Sequence, residues 1–146
     1  MRIVIQRVSR ASVTIDGEIS GEIDRGLLLL VGIHETDTKT EADWCCSKIP
    51  RLRIFEDEEG KMNLSAQDIN GGILVVSQFT LYGNTKKGTR PSFIEAARPE
   101  VAEPLYEYMI DKLKKESGLK IESGEFGAMM DVELINDGPV TIILEK

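Results

Sequence analysis

Ser77-Gln78-Phe79-Thr80-Leu81 places two hydroxyls, one amide and a set of turning backbone N–H groups in five consecutive positions, where an apolar strand gives way to an irregular basic loop. Rigid scaffolds commonly present reactive groups at such junctions. Donors arranged this way can polarise a carbonyl and hold the oxyanion that develops on it, even without a general base. The same hydroxyls could equally satisfy the backbone of an ordinary strand end. Further along, Gly138-Pro139 interrupts a second apolar region. Between two strands this dipeptide reads as a trans turn, because only about 5–6% of X-Pro bonds in folded proteins are cis. In the cis geometry both carbonyls could project the same way, as a fixed pair of acceptors for an ammonium group. Lys86, Lys87, Arg90 and Arg98 form the densest basic stretch of the chain. They fit limited contact with the phosphates of one RNA end, and equally a solvated loop.

Other chemistries are disfavoured by what the chain lacks. His34 is the single histidine, which removes most His-based triads, His-rich metal centres and His-Cys pairs and reads as a loop residue. The two cysteines, Cys45 and Cys46, are adjacent; they cannot build a disulfide framework or a four-ligand zinc site, and read as core thiols. There is no G-x-S-x-G elbow, no G-x-x-x-x-G-K loop and no dinucleotide fingerprint, so neither a metal nor an organic cofactor is expected. A net charge of -7, from 25 acids against 18 bases, argues against coating nucleic acid by bulk electrostatics and leaves room for a local basic patch. No apolar run approaches the roughly 18 residues of a membrane span, and Met1 to Ile5 enters a strand pattern rather than a signal core. The expectation is a cytoplasmic protein without a membrane partner.

At 146 residues the chain reads as one domain, residues 1–146, with a sizeable core. Arg2 to Arg7 and Ser12 to Ile15 alternate as strands, and Asp16-Gly17 favours a tight hairpin. Leu27 to Val31 is a continuous apolar run, which predicts a strand buried on both faces. Thr38 and Glu41 form a capping-box signature before Ala42, Cys45, Cys46 and Ile49, the stripe of an amphipathic helix that Pro50 ends. Leu52 to Phe55 reads as a strand, Glu56 to Lys61 as an acidic hairpin tip, and Ile73 to Val76 as a buried strand leading to Ser77. Arg98-Pro99-Glu100 opens a second helix with a Val101, Leu105, Met109 and Leu113 stripe, and Gly118 ends it. Two last strands, Asp131 to Ile135 and Val140 to Leu144, flank Asn136 to Pro139. The pattern predicts an α+β domain: a mostly antiparallel, barrel-like β-sheet core with two main helices.

On these residues the chain resembles the D-aminoacyl-tRNA deacylases over its whole length. Ser77 to Leu81 and Asn136-Asp137-Gly138-Pro139-Val140-Thr141 carry the likeness most strongly. Gln6-Arg7-Val8, Ala11-Ser12-Val13, Gly60 to Leu64, Arg90-Pro91-Ser92-Phe93 and Phe126-Gly127-Ala128 support it. The resemblance implies that family's fold and a homodimer in which the Gly-Pro dipeptide, held cis, enters the partner's active site. It implies that the carbonyls of Gly138 and Pro139 receive the substrate α-amino group and leave no room for an L side chain. D-aminoacyl-tRNA is then the substrate, and Gly-tRNA passes as well. It also implies an oxyanion donor in the Phe79 N–H, a pocket floor in Ser77 and Gln78, a brace in Arg7 and a pocket wall in Ala102, with Lys86, Lys87 and Arg90 toward the RNA. Thr80 is the nucleophile by residue type, but a water assisted by the terminal ribose hydroxyl is preferred because no base is evident beside it. Three alternatives stand beside this one: a related trans-Gly-Pro editing enzyme acting on L-alanyl-tRNA, a non-catalytic nucleic-acid-binding module, and a small-ester hydrolase unrelated to RNA.

Overall fold

The computed structural model describes residues 1–146. Strand β1 (Arg2–Ile15) buries Ile3, Ile5, Val8, Ala11 and Val13. Asp16 and Gly17, at φ 51° and 82°, turn it into β2 (Glu18–Ile23), the left-handed pair that an Asp-Gly hairpin uses. β3 (Gly26–Gly32) then runs antiparallel to the first half of β1, whose second half pairs with β2. The capping box forms as its spacing predicts. The Thr38 hydroxyl accepts from Thr40 N–H at 3.2 Å, the Glu41 carboxylate accepts from Thr38 N–H at 2.8 Å, and α1 (Lys39–Lys48) follows. Its stripe of Ala42, Cys45 and Cys46, continued by Ile49, is buried, and Pro50 lies in the short 3-10 turn Ile49–Arg51 that ends it.

Three expectations change. The strand expected over Leu52 to Phe55 contracts to β4 (Phe55–Glu56), paired with β5 (Met62–Leu64), because Ile54 offers its carbonyl to a side chain instead of a ladder. β6 (Gly72–Ser77) follows, and then α2 (Pro99–Glu116). The buried stripe of α2 is Ala102, Leu105, Tyr106, Met109, Ile110 and Leu113; Val101, expected within it, is 48% exposed because the 3.6-residue seam starts at its neighbour. β7 (Ile121–Ser123) precedes β8 (Asp131–Glu145), one continuous strand where a turn between two strands was expected. The residues that read as a turn form a bulge, and pairing with β1 resumes on both sides of it.

The main sheet runs β2-β1-β3-β6-β7, with β8 along the other edge of β1. β3–β6 and β6–β7 are parallel and the remaining four pairs antiparallel. Leu27, Leu29, Ile73 and Val75 pack under the two helices, while Leu28, Leu74 and Val76 meet Val8, Ala11, Val13 and Ile23 on the opposite face. That double burial is what the unbroken apolar run of β3 anticipates. β2 also packs against β6 and β7, curling the sheet toward a barrel. No helix is long and apolar enough to cross a membrane.

Candidate active site

The parallel strands β3 and β6 end side by side, Val31 level with Ser77. Gln78 N–H donates to the Val31 carbonyl at 2.7 Å, after which the chain leaves the sheet for a 3-10 turn, Phe79–Tyr82. Within the turn Leu81 N–H donates to the Gln78 carbonyl at 3.2 Å and Gly83 N–H to that of Thr80 at 2.9 Å. The Phe79 N–H opens the turn and has no acceptor inside it. The Phe79 ring is 58% exposed and meets the Phe93 ring edge to face, centroids 5.3 Å apart. The Thr80 hydroxyl accepts from the Gln78 side-chain amide. An amide N–H cannot take up a proton, so this contact orients Thr80 without activating it.

The back of the turn is fixed by residues that motif reading missed. Arg2 donates to the Leu81 carbonyl at 2.7 Å, and its guanidinium lies 5.0 Å from the centre of the Tyr82 ring. The His34 ring packs on Tyr82 at 5.2 Å, and its Nδ1 lies 2.8 Å from the Thr36 hydroxyl and 3.2 Å from the Thr36 N–H. Burial pushes the Tyr82 phenol up to about 12. His34 is therefore the loop residue expected of it and makes no hydrogen bond to Thr80. Beyond Gly83 the chain forms a loop pinched by two backbone bonds between Asn84 and Ser92, at 2.8 and 3.0 Å. Lys86, Lys87 and Arg90 are exposed on it, and Phe93 carries the loop back against Phe79. Ser77 to Leu81 and the basic loop are thus one contiguous surface. Ala102, in the first turn of α2, is 6% exposed and packs in the main core.

The second half of the candidate site lies elsewhere on the sheet. Gln6 pairs with Thr141 and Val8 with Asn136, so the single residue Arg7 faces the four-residue bulge Asp137 to Val140. The Arg7 side chain is 5% exposed. It donates to the Asp137 carbonyl at 3.0 Å and the Ile54 carbonyl at 2.7 Å, and it pairs with the Asp137 carboxylate at 3.3 Å. This clamp leaves Gly138 and Pro139 exposed, joined by a cis peptide bond. Gly138 sits at φ 127°, and a Cβ there would stand 3.0 Å from Val140 and 3.1 Å from the guanidinium. The sequence signal for Arg7 is parity: it shares the inward phase of Ile3 and Ile5 on β1.

One chain does not bring the halves together. Ser77 is level with Ile3 and Leu144, while the bulge is level with Arg7, four positions along β1 and three strand spacings across. Rises of about 3.3 Å per residue and spacings of about 4.8 Å put Ser77 and Gly138 on the order of 19 Å apart along the sheet. No group of three or more His, Cys, Asp or Glu side chains converges as a metal site.

The chain is similar to known proteins over its full length. A protein of Brevibacillus brevis named D-aminoacyl-tRNA deacylase is 62% identical over 146 residues, covering 100% of both chains. A solved structure of a c-Myc DNA unwinding element binding protein is 46% identical, with a TM-score of 0.93 over 100% of this chain and 99% of that one. Another, described as a "probable eukaryotic D-amino acid tRNA deacylase", matches with a TM-score of 0.85 over 98% of this chain and 97% of that one; at 16% identity it bears on the fold alone. The family profile described as D-Tyr-tRNA(Tyr) deacylase matches residues 4–145, and the chain belongs to that family.

Proposed function

We propose that this protein hydrolyses the ester bond of D-aminoacyl-tRNA to free tRNA and D-amino acid, and that it also clears mischarged Gly-tRNA. The observation that carries the reading is the Arg7-clamped bulge, which leaves the cis-linked Gly138 and Pro139 exposed. Their carbonyls receive the substrate ammonium, and the peptide itself fills the space an L side chain would need. Selection by exclusion accepts many D side chains without reading any of them, and glycine passes because it has none. The Phe79 N–H faces the ester carbonyl, with Ser77 and Gln78 beneath, and stabilises the oxyanion formed when water attacks. The terminal ribose hydroxyl assists that water. The water oxygen bonds to the carbonyl carbon, the ester C–O bond breaks, and a proton from that water ends on the departing ribose oxygen. Thr80 stays a spectator.

The two halves meet in a homodimer, each copy lending its bulge to the other. Two features support this: the separation of the halves within one chain, and the free outer edge of β8, where Ile135 and Ile143 are 46% and 65% exposed. Lys86, Lys87 and Arg90 hold the phosphates of the tRNA end, and the work is placed in the cytoplasm, where tRNA is charged.

Incubating the purified, dimeric protein with D-Tyr-tRNA and following released tyrosine tests the reading. Release is expected. Tight binding without release would favour a nucleic-acid-binding module, which the name of the 46% identical relative also suggests. Release from L-alanyl-tRNA in preference would favour the related L-specific editing reaction. Mixing an Arg7→Met variant with a Phe79→Pro variant tests sharing: activity recovered on mixing is expected only if each dimer site draws on both chains.

A further inference from the structure

Beyond the site already described, the end of α1 and the chain after it form a shallow concavity of about 420 Å³ lined by Trp44, Ser47, Lys48, Arg51, Leu52 and Arg53. The Trp44 ring is its aromatic floor. The Lys48 ammonium stands 4.4 Å from the ring centre, and that of Lys146 stands 5.5 Å away. None of Lys48, Arg51, Arg53 and Lys146 has a carboxylate within salt-bridge distance. Arg53 is held out by Asn63, donating to its carbonyl at 2.8 Å and to its side-chain oxygen at 3.0 Å. The acids of α1 are engaged elsewhere, Glu41 in the capping box and Asp43 with Tyr108 and Lys112. In a chain of net charge -7, three cations outside any ion pair, Lys48, Arg51 and Arg53, on one concavity with an indole are a local reversal of sign.

The position of this face matters as much as its charge. Arg7 donates both to Ile54, next to Arg53, and to Asp137, next to Gly138. One buried guanidinium therefore locks the cationic face to the bulge that the proposed dimer lends across. Wherever the bulge goes, Arg53 goes with it.

We propose that the Trp44–Arg53 face binds the phosphodiester backbone of the substrate RNA, continuing on one subunit the track that Lys86, Lys87 and Arg90 begin on the other. This rests on the shared-site reading above. Lys and Arg outside ion pairs suit phosphates, which fix position without reading sequence. The half-buried indole, packed on the core from one side, offers its remaining surface to a base or ribose. The Asn63 amide ties Asp57 of the acidic hairpin tip beside Arg53 at 2.6 Å, so the tip turns the backbone away on that side.

Trp44 is the only tryptophan, so its emission reports this face directly. Uncharged tRNA is expected to change Trp44 emission, and a trinucleotide matching the tRNA 3′ end is expected to leave it unchanged. A K48Q/R51Q/R53Q variant is expected to bind uncharged tRNA at least roughly tenfold more weakly, with a log–log salt slope reduced by about 2. Its KM for D-Tyr-tRNA should rise by the same factor at unchanged kcat, while the D-tyrosyl ester of adenosine is cleaved as by the parent protein. A K48R/R51K/R53K variant should retain tRNA affinity. Unchanged affinity and salt slope, silent Trp44 emission, equal slowing on the adenosine ester, or equal competition by duplex DNA of the same length would each overturn the assignment. If the parent protein binds tRNA in this way but releases no amino acid, the hydrolytic reading fails and the RNA-binding face stands.

Discussion

Replacing Arg7 with Met removes the clamp and keeps most of the buried volume. The guanidinium serves the Ile54 carbonyl at 2.7 Å and the Asp137 carbonyl at 3.0 Å. Each carbonyl left without a donor costs about 1–2 kcal/mol, given that only Ile54 is fully enclosed. The ion pair with Asp137 adds little, because that carboxylate is 38% exposed. The expected loss is about 3 kcal/mol, which a domain stable by roughly 5–15 kcal/mol survives folded. Urea unfolding should show the midpoint falling by roughly 1–3 M at constant m. Activity should fall further than stability. In the proposed function the bulge it releases holds the substrate ammonium, and a displacement near 1 Å can cost about 100-fold in rate. Single-turnover hydrolysis of D-Tyr-tRNA under native conditions reads that loss separately. Arg7→Lys, with one ammonium in place of a planar fork, should recover only part of either quantity. A midpoint shift below about 0.3 M with hydrolysis unchanged would refute the clamp.

Thr80→Val should keep hydrolysis within about tenfold of the parent rate, since the only partner of the Thr80 hydroxyl is the Gln78 amide; a loss of roughly 1,000-fold in single-turnover rate would make Thr80 the nucleophile after all. The thiols of Cys45 and Cys46 are pushed by burial up to about 11 and about 12. A thiol-reactive dye should therefore label the folded protein no faster than it unfolds. Hydrogen bonds hold the carboxyls of Glu41, Asp43, Asp57 and Asp68 below their ordinary range, from Thr38, Tyr108, Asn63 and Ser65 respectively. Depressed carboxylates contribute stability that is present above their unfolded values and lost as pH falls through the folded ones. The urea midpoint should thus stay level from about pH 8 to pH 6 and decline below about pH 4. A decline beginning near neutrality would contradict this.

Local signals were legible in the sequence where one turn or one face decided the outcome. Asp16-Gly17 turns β1 into β2, the Thr38 capping box starts α1, and the apolar run of β3 lies between two packed layers. Long-range registry was not legible. Asn136 to Pro139 has the composition of a turn, yet it bulges from a continuous strand because β1 pairs with both flanks. Val101 looks like a stripe residue until Ala102 takes the inward position. In the candidate site, the motif Ser77 to Leu81 was visible as chemistry without its support. Arg2, His34 and Phe93 come from three other segments, and only the fold sets them around Phe79 and Tyr82. Arg7 announced itself by inward parity on β1, but its partners, 47 and 130 positions away, could not be read from spacing.

The central claim is rejection of one mirror image by exposed main chain. It is tested most directly by measuring tyrosine release from D-Tyr-tRNA and L-Tyr-tRNA in parallel, using chelator-treated protein and a Gly138→Ala/Pro139→Ala variant. The account predicts rapid loss of the D ester alone with the parent protein, and collapse of the difference between the two esters in the variant. Equal loss of both esters by the parent protein, or undiminished D preference in a folded variant, would contradict it.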